Sequence, residues 1–207
     1  MHKLVIILGA SVAAKIGSLW IDSLYEKNLQ ILSYPQRLGE KITLRQIFLF
    51  VGIIVGFFFL ELKGNFFVAA VKILPIYFLL LITCTDFEQE VIFDKVLIPL
   101  AICAVIFWKV FSLPVLSHIL AAAVGGGIFF LISVMSGGGI GGGDVKLIFV
   151  LGLLLGVKNL LDVVLIGCVA GGVVALILIL TGLKNRKDFF AYGPYFAGAA
   201  IFKIVFS

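Results

Sequence analysis

The chain has 207 residues, of which 62% are hydrophobic and only 13% are charged. Globular proteins are about 45–50% apolar, so this composition excludes a water-soluble domain. The formal net charge of +5 does not indicate nucleic-acid binding. The positions of the basic residues instead follow the pattern that sets the orientation of a membrane protein. We predict an all-α fold, a polytopic transmembrane helical bundle of about eight spans.

Eight apolar runs follow one another, and several approach the roughly 20 residues that a helix needs to cross a bilayer. They cover residues 4–25, 46–62, 65–85, 97–114, 117–136, 145–156, 159–182 and 190–206. The first run has features of a signal peptide, but its apolar character continues to Ile21 and we expect an uncleaved helix. The sixth would rise only about 18 Å, so we expect a half-span that joins the next helix through 156–159.

Lysine and arginine are unevenly divided between the two sides that eight alternating crossings define. One side has nine and the other three: Lys27, Arg37, Lys41, Arg45, Lys95, Lys146, Lys184, Arg186 and Lys187 against Lys3, Lys63 and Lys158. Because basic loops stay in the cytoplasm, we expect the richer side there and both termini outside. We divide the chain into an N-terminal two-helix region, 1–64, and a membrane core, 65–207.

Acidic residues are scarce, and four of the eleven fall in the segment TDFEQEVIFDKV, residues 85–96. Asp144 comes 58 residues after Asp86. The two apolar runs between them return the chain to the side it left, so we expect both aspartates at the same membrane face. Glu88, Glu90 and Asp94 are individually expected to be solvated loop residues or helix caps.

Asp144 ends the glycine-rich segment SGGGIGGGD, residues 136–144. Ordering glycine is entropically costly, and a plain linker more often carries serine and several charges. We therefore predict that the glycines let the backbone approach an extended substrate and move aside to admit it. Gly143 is expected to be the most sensitive to alanine substitution, followed by Gly141, whereas Gly137 and Gly138 are expected to tolerate it better.

Two carboxylates held close together do not both ionise easily, so Asp86 and Asp144 are expected to share one proton near neutral pH. Such a pair can take a proton from water, direct the hydroxide at a peptide carbonyl and protonate the leaving amine. The alternative is a small transporter or channel whose acidic loops bind cations.

Three segments resemble a known family. Gly141–Asp144 matches the GxGD motif of the intramembrane aspartyl proteases, and its continuation GDVKL is similar to the form in type IV prepilin peptidases. The segment from Asp86 to Asp94 resembles that family's D-x5-I-P-[DN], with Phe93 where proline is usual. Tyr192–Tyr195 resembles its Gly-Pro pair before the last helix, and the resemblance covers roughly residues 65–207.

The resemblance implies that Asp86 and Asp144 are the catalytic pair. By the same resemblance, substrate binding or loop positioning falls to Gly141, Gly143, Lys146, Asp94, Gly193 and Pro194. The implied substrates are membrane-anchored type IV prepilins or pseudopilins, cut at the cytoplasmic face of the inner membrane between a basic leader and a hydrophobic helix. Archaeal preflagellin peptidases share this chemistry. The presenilin branch is disfavoured, because Thr85 rather than tyrosine precedes Asp86.

No cofactor is expected. Many bacterial members of the family carry two CxxC pairs in the first cytoplasmic loop and also methylate the new N-terminus. Residues 23–45 contain no cysteine, and Cys84, Cys103 and Cys168 form no CxxC pair. A zinc site is therefore not expected, and methylation is doubtful on this pattern.

Overall fold

The chain folds into a bundle of helices. A computed structural model describes residues 2–39, 41–63, 66–137, 139–185 and 190–206, and within these ranges it contains seven α-helices and no strand. The helices are α1 His2–Lys27, α2 Ile42–Lys63, α3 Phe66–Gln89, α4 Asp94–Val110, α5 Val115–Met135, α6 Gly142–Leu180 and α7 Gly193–Phe206. Two short 3-10 helices, Leu29–Ile31 and Pro35–Arg37, connect α1 to α2. Arg186 and Lys187, which the orientation prediction used, and Gly138 lie outside the described residues.

The predicted all-α transmembrane fold is confirmed. Within the described ranges, five helices are long and apolar enough to cross a membrane: α1, α2, α3, α5 and α6. Their outer faces carry large apolar side chains, such as Leu116 at 70% and Leu180 at 77% exposure. Exposed side chains of this kind are favourable in lipid and costly in water, and helices satisfy their own backbone hydrogen bonds there.

Helix α6 is not a straight rod, because the chain reverses at Gly156. That residue has φ 73° and ψ 175°, outside the helical region. Its 39 residues would span about 58 Å if straight. Yet Asp144 near its start lines a cavity together with Glu90, and Lys184, just beyond its end, pairs with Glu90. The expected junction at Gly156 is therefore present, and the structure has seven α-helices because no loop separates the sixth and seventh runs.

Side chains of α4, α5 and α6 itself satisfy the backbone groups freed at this reversal. The Leu153 carbonyl accepts hydrogen bonds from Trp108 Nε1 at 2.8 Å and from His118 Nδ1 at 2.9 Å. Asn159 Nδ2 donates to the Leu155 carbonyl at 3.2 Å. Such partners allow a helix to break without leaving its backbone groups unpaired.

Small residues bring α5 close to both halves of α6. A Cβ on Gly152 would lie 2.6 Å from the Cα of Ala122, and a Cβ on Gly125 would lie 2.7 Å from Leu160 Cδ2. Close backbone approach through glycine is typical of helix packing in membranes. This packing fixes the start of α6, and with it Asp144, relative to the end of α5.

Candidate active site

Asp86 and Asp144 line one cavity of about 230 Å³ at one end of the bundle. Asp86 lies in the last turn of α3 and is 4% exposed, and Asp144 lies in the first turn of α6 and is 7% exposed. The other residues that line the cavity are Glu90, Val91, Ile92, Gly141, Gly142, Gly143, Phe190 and Ala191. The structure thus brings together the two aspartates that the sequence placed at one membrane face.

Each of these aspartates has a buried carboxylate oxygen without a hydrogen-bond partner among the described residues. The two atoms are Asp86 Oδ2 and Asp144 Oδ1. Buried polar atoms are nearly always paired, and exceptions are often functional groups. Both oxygens belong to side chains that line the same cavity.

Asp144 owes its position to the start of α6. Gly141 is the N-cap residue, with extended backbone at φ −63° and ψ 140°, and its carbonyl accepts a hydrogen bond from the Val145 amide at 3.3 Å. The first turn of a helix has free N–H groups and a positive dipole end, which favour a nearby carboxylate. The helix therefore holds Asp144 at a defined point of the cavity rather than on a mobile loop.

The segment between α3 and α4 packs directly against the glycine motif. A Cβ on Gly143 would lie 3.0 Å from Cβ of Ile92, which lines the same cavity. The adjacent Gly142 would meet no atom within 4 Å. Gly137 has open space but a φ of +63°, so alanine there would be strained by its backbone conformation.

We expect Gly143→Ala to lower activity and Gly142→Ala to preserve it. The added methyl of Gly143→Ala must push Ile92 or the start of α6 by a few tenths of an ångström, which moves Asp144 relative to Asp86. Gly142→Ala is the matched control, since it makes the same change one residue away without a clash. The measurement is the activity of each purified variant per amount of folded protein. Equal rates for the two variants would show that the glycines serve only as a linker.

Residue Gly193, at the start of α7, approaches the carboxylate of Asp86. A Cβ at this position would overlap Asp86 Oδ2 and lie 3.1 Å from Asp86 Cγ. Pro194 follows as a buried residue of the first turn. Glycine is thus the residue that lets the backbone of α7 come this close to the cavity.

Asp94 and Lys146 form an ion pair beside the cavity but do not line it. Lys146 Nζ lies 2.8 Å and 2.9 Å from the two carboxylate oxygens of Asp94. The pair joins the first turn of α4 to the first turn of α6 and borders an apolar groove of about 630 Å³ between α4, α5 and α6. The two side chains are 57% and 60% exposed, so the pair contributes little to stability.

The sequence did not reveal the ion pair made by Glu90. The expectation of a solvated loop residue was wrong, because the Glu90 side chain is only 15% exposed and its Oε1 lies 2.9 Å from Lys184 Nζ. The same oxygen accepts a hydrogen bond from the Tyr34 hydroxyl at 3.3 Å. Glu90 therefore ties the ends of α3 and α6 together at the cavity.

Glu88 was also expected to be solvated, and this expectation was wrong too. Its Oε2 lies 2.8 Å from Arg45 Nη1 and accepts a hydrogen bond from the Tyr25 hydroxyl at 3.0 Å. The Arg45 guanidinium is buried and also binds Ser18 and Asp22 of α1. This network joins α1 and α2 to the last turn of α3, which carries Asp86. The sequence signal was a lone arginine next to an apolar run, where a charge requires a partner.

The described residues contain no group of three or more His, Cys, Asp or Glu side chains placed to hold a metal ion.

Comparison with known proteins gives two matches. The model of the type IV leader peptidase family matches residues 73–176, which include both aspartates. A prepilin leader peptidase/N-methyltransferase of Bacillus subtilis (strain 168) is 32% identical over 83 residues, or 40% of this chain. The aligned region is only 34% of that relative's length. No solved structure matches.

The name of this relative combines leader peptidase and N-methyltransferase activities. The doubt about methylation that the missing cysteines raised is therefore not borne out by the comparison.

Proposed function

The chain belongs to the type IV leader peptidase family, and on this premise we propose that it is a membrane aspartyl endopeptidase that removes the leader of type IV prepilins or pseudopilins. The observation that carries the proposal is the pair of buried carboxylates, Asp86 and Asp144, that face one cavity from the ends of two different helices. Membership of a peptidase family also favours proteolysis over the alternative of a cation transporter.

Two carboxylates in one buried cavity share a single proton, because a second negative charge would be repelled and poorly solvated. The ionised member removes a proton from water, and the resulting hydroxide adds to the carbonyl carbon of the scissile peptide. The protonated member donates to the carbonyl oxygen as the tetrahedral intermediate forms. When the C–N bond breaks, the leaving amine receives the proton that was taken from water, and a hydroxyl of the intermediate returns its proton to the other carboxylate, which restores the starting pair. Neither step consumes a cofactor.

The apolar groove beside the cavity supports a substrate that is itself anchored in the membrane. It is lined by residues such as Leu97, Ile98 and Phe130, and Asp94 and Lys146 lie at the end nearest Asp144. A hydrophobic substrate helix in this groove would place the residues that precede it next to the carboxylate pair. We propose that Asp94 and Lys146 position this part of the substrate, and that Gly141, Gly143, Gly193 and Pro194 shape the path of its backbone.

We propose that the carboxylate cavity faces the cytoplasm and that the chain resides in the inner membrane. The support is the excess of lysine and arginine on the side that carries Asp86 and Asp144.

The direct test is co-expression of the chain with candidate prepilins, with loss of the leader followed on a gel. A product shortened at the junction between the basic leader and the hydrophobic helix supports the proposal. Intact prepilin in the presence of folded, membrane-inserted enzyme, across all pilins and pseudopilins of the same genome, contradicts it.

We expect cleavage to persist after treatment with a strong chelator such as EDTA. The described residues contain no set of ligands for a metal ion, and the proposed proton transfers need only the two carboxylates. The measurement is the cleavage rate before and after chelation and dialysis. Loss of activity that a divalent cation restores would replace the aspartyl mechanism with a metal-dependent one.

A further inference from the structure

The end of α3 is bonded to the connection between α1 and α2. Gln89, the last residue of α3, is only 2% exposed. Its Oε1 accepts a hydrogen bond from the Tyr34 amide at 2.9 Å, and its Nε2 donates one to the Tyr34 carbonyl at 3.1 Å. The backbone carbonyl of Gln89 accepts another from the Ser33 amide at 3.3 Å. The side chain and the backbone of one residue therefore both bind the connection.

The residues on either side of this glutamine are held from two further directions. Glu88 forms an ion pair with Arg45 of α2 at 2.8 Å. Glu90 Oε1 lies 2.9 Å from Lys184 Nζ and accepts a hydrogen bond from the Tyr34 hydroxyl at 3.3 Å. Glu90 has a φ of 53°, a left-handed backbone conformation that favours glycine. A glutamate there costs conformational energy, but its side chain adds the bonds that hold the end of α3.

These contacts matter for Asp86 because it lies in the same last turn. The end of a helix frays easily, since its last four carbonyls have no partner within the helix. Loosening of this turn would move the Asp86 carboxylate relative to Asp144, which is carried by a different helix. Gln89 is not among the described residues that line the carboxylate cavity or the apolar groove. It therefore acts on Asp86 through the backbone of α3 and not on a substrate.

We propose that Gln89 is a positioning residue for the peptidase reaction and that it acts through the connection between α1 and α2. By holding the last turn of α3, the connection keeps Asp86 in place opposite Asp144. This inference rests on the proposed function. It gives a catalytic purpose to the connection, which lies outside the residues 73–176 that match the family model.

The first test is Gln89→Met, which keeps the length of the side chain but removes both of its hydrogen bonds with Tyr34. We expect kcat for leader cleavage, per amount of folded protein, to fall by about 10- to 100-fold, because a shift of roughly 1 Å in a catalytic group costs up to about 100-fold. KM should stay unchanged, since Gln89 does not contact the substrate. Gln36→Met is the matched control. Gln36 is an exposed glutamine of the same connection, and its replacement should leave both constants unchanged.

A second variant, Glu88→Gln, tests the same turn with less risk to folding. It keeps the size of the side chain, and Arg45 remains paired with Asp22. The variant weakens the bond from α2 to the last turn of α3, so kcat should fall several-fold while KM stays unchanged. A purely structural role would lower the yield of folded protein but leave kcat per folded protein at the wild-type value.

Hydrogen exchange measured by mass spectrometry tests the contact without any substrate. In the wild type, the peptide that contains Ser33 and Tyr34 should exchange slowly, because both amides donate to Gln89. Gln89→Met should accelerate this exchange, and Gln36→Met should not. Rapid exchange of this peptide in the wild type would overturn the inference.

The kinetic outcomes separate this inference from the proposed function. If the wild type cleaves prepilin and both Gln89→Met and Glu88→Gln have its kcat, the positioning role is wrong and the proposed function stands. If the folded wild type cleaves no prepilin, the proposed function is wrong, and the positioning role is overturned with it. A fall in kcat at constant KM, together with faster exchange at Ser33 and Tyr34, supports the inference.

Discussion

Asp86→Asn and Asp144→Asn are each expected to lower the rate of leader cleavage by about 10³–10⁴-fold or more, because each removes one partner of the same proton transfers. An amide can neither take the proton from water nor return it to the leaving amine. The double variant should be no slower than either single variant, since the pair acts as a unit. The measurement is the single-turnover cleavage rate of a prepilin by purified enzyme.

The stability of these variants separates catalysis from folding. Both carboxylates are buried and each has an oxygen without a partner, so replacing one with an amide relieves repulsion in the cavity. We therefore expect both asparagine variants to insert normally and to melt at or above the wild-type temperature. Asp94→Asn is the matched control. Asp94 is exposed and outside the cavity, and this variant should keep partial activity. Substantial activity in Asp144→Asn would eliminate the aspartyl mechanism.

Gly193→Ala is expected to reduce cleavage by about 100-fold, the cost of a displacement of roughly 1 Å in a catalytic group. The new Cβ would overlap Asp86 Oδ2, so either the carboxylate rotates or the start of α7 moves away from α3. The first response reorients the Asp86 carboxylate relative to Asp144, and the second removes the contact of α7 with that carboxylate. The rate should fall at saturating substrate, because the chemical step rather than substrate binding is affected.

Gly198→Ala provides the control on the same helix. A Cβ at Gly198 would meet no atom within 4 Å, and alanine is the better helix former by about 1 kcal/mol. This variant should therefore be active and at least as stable as the wild type. If Gly193→Ala cleaves as fast as Gly198→Ala, the approach of α7 to Asp86 has no role in catalysis.

The sequence by itself determined the class of fold and the placement of the two aspartates at the same end of the bundle. In lipid, an apolar run of spanning length can satisfy its backbone hydrogen bonds only as a helix. Two such runs between Asp86 and Asp144 return the chain to its starting side. The reversal at Gly156 was also predictable, because the run before it is too short for a full crossing and ends in glycine. These are local properties, set by run length and by residue type.

Only the tertiary structure decided which side chains meet. The sequence predicted that Glu88 and Glu90 are solvated. In the structure they pair with Arg45 and Lys184, which are far from them in the chain. The contact of Gly193 with Asp86 likewise depends on how distant helices pack. Hydrophobic patterns define the faces of each helix but not the rotation and depth at which the helices dock, and these are fixed by close packing of small residues such as Gly125 and Gly152.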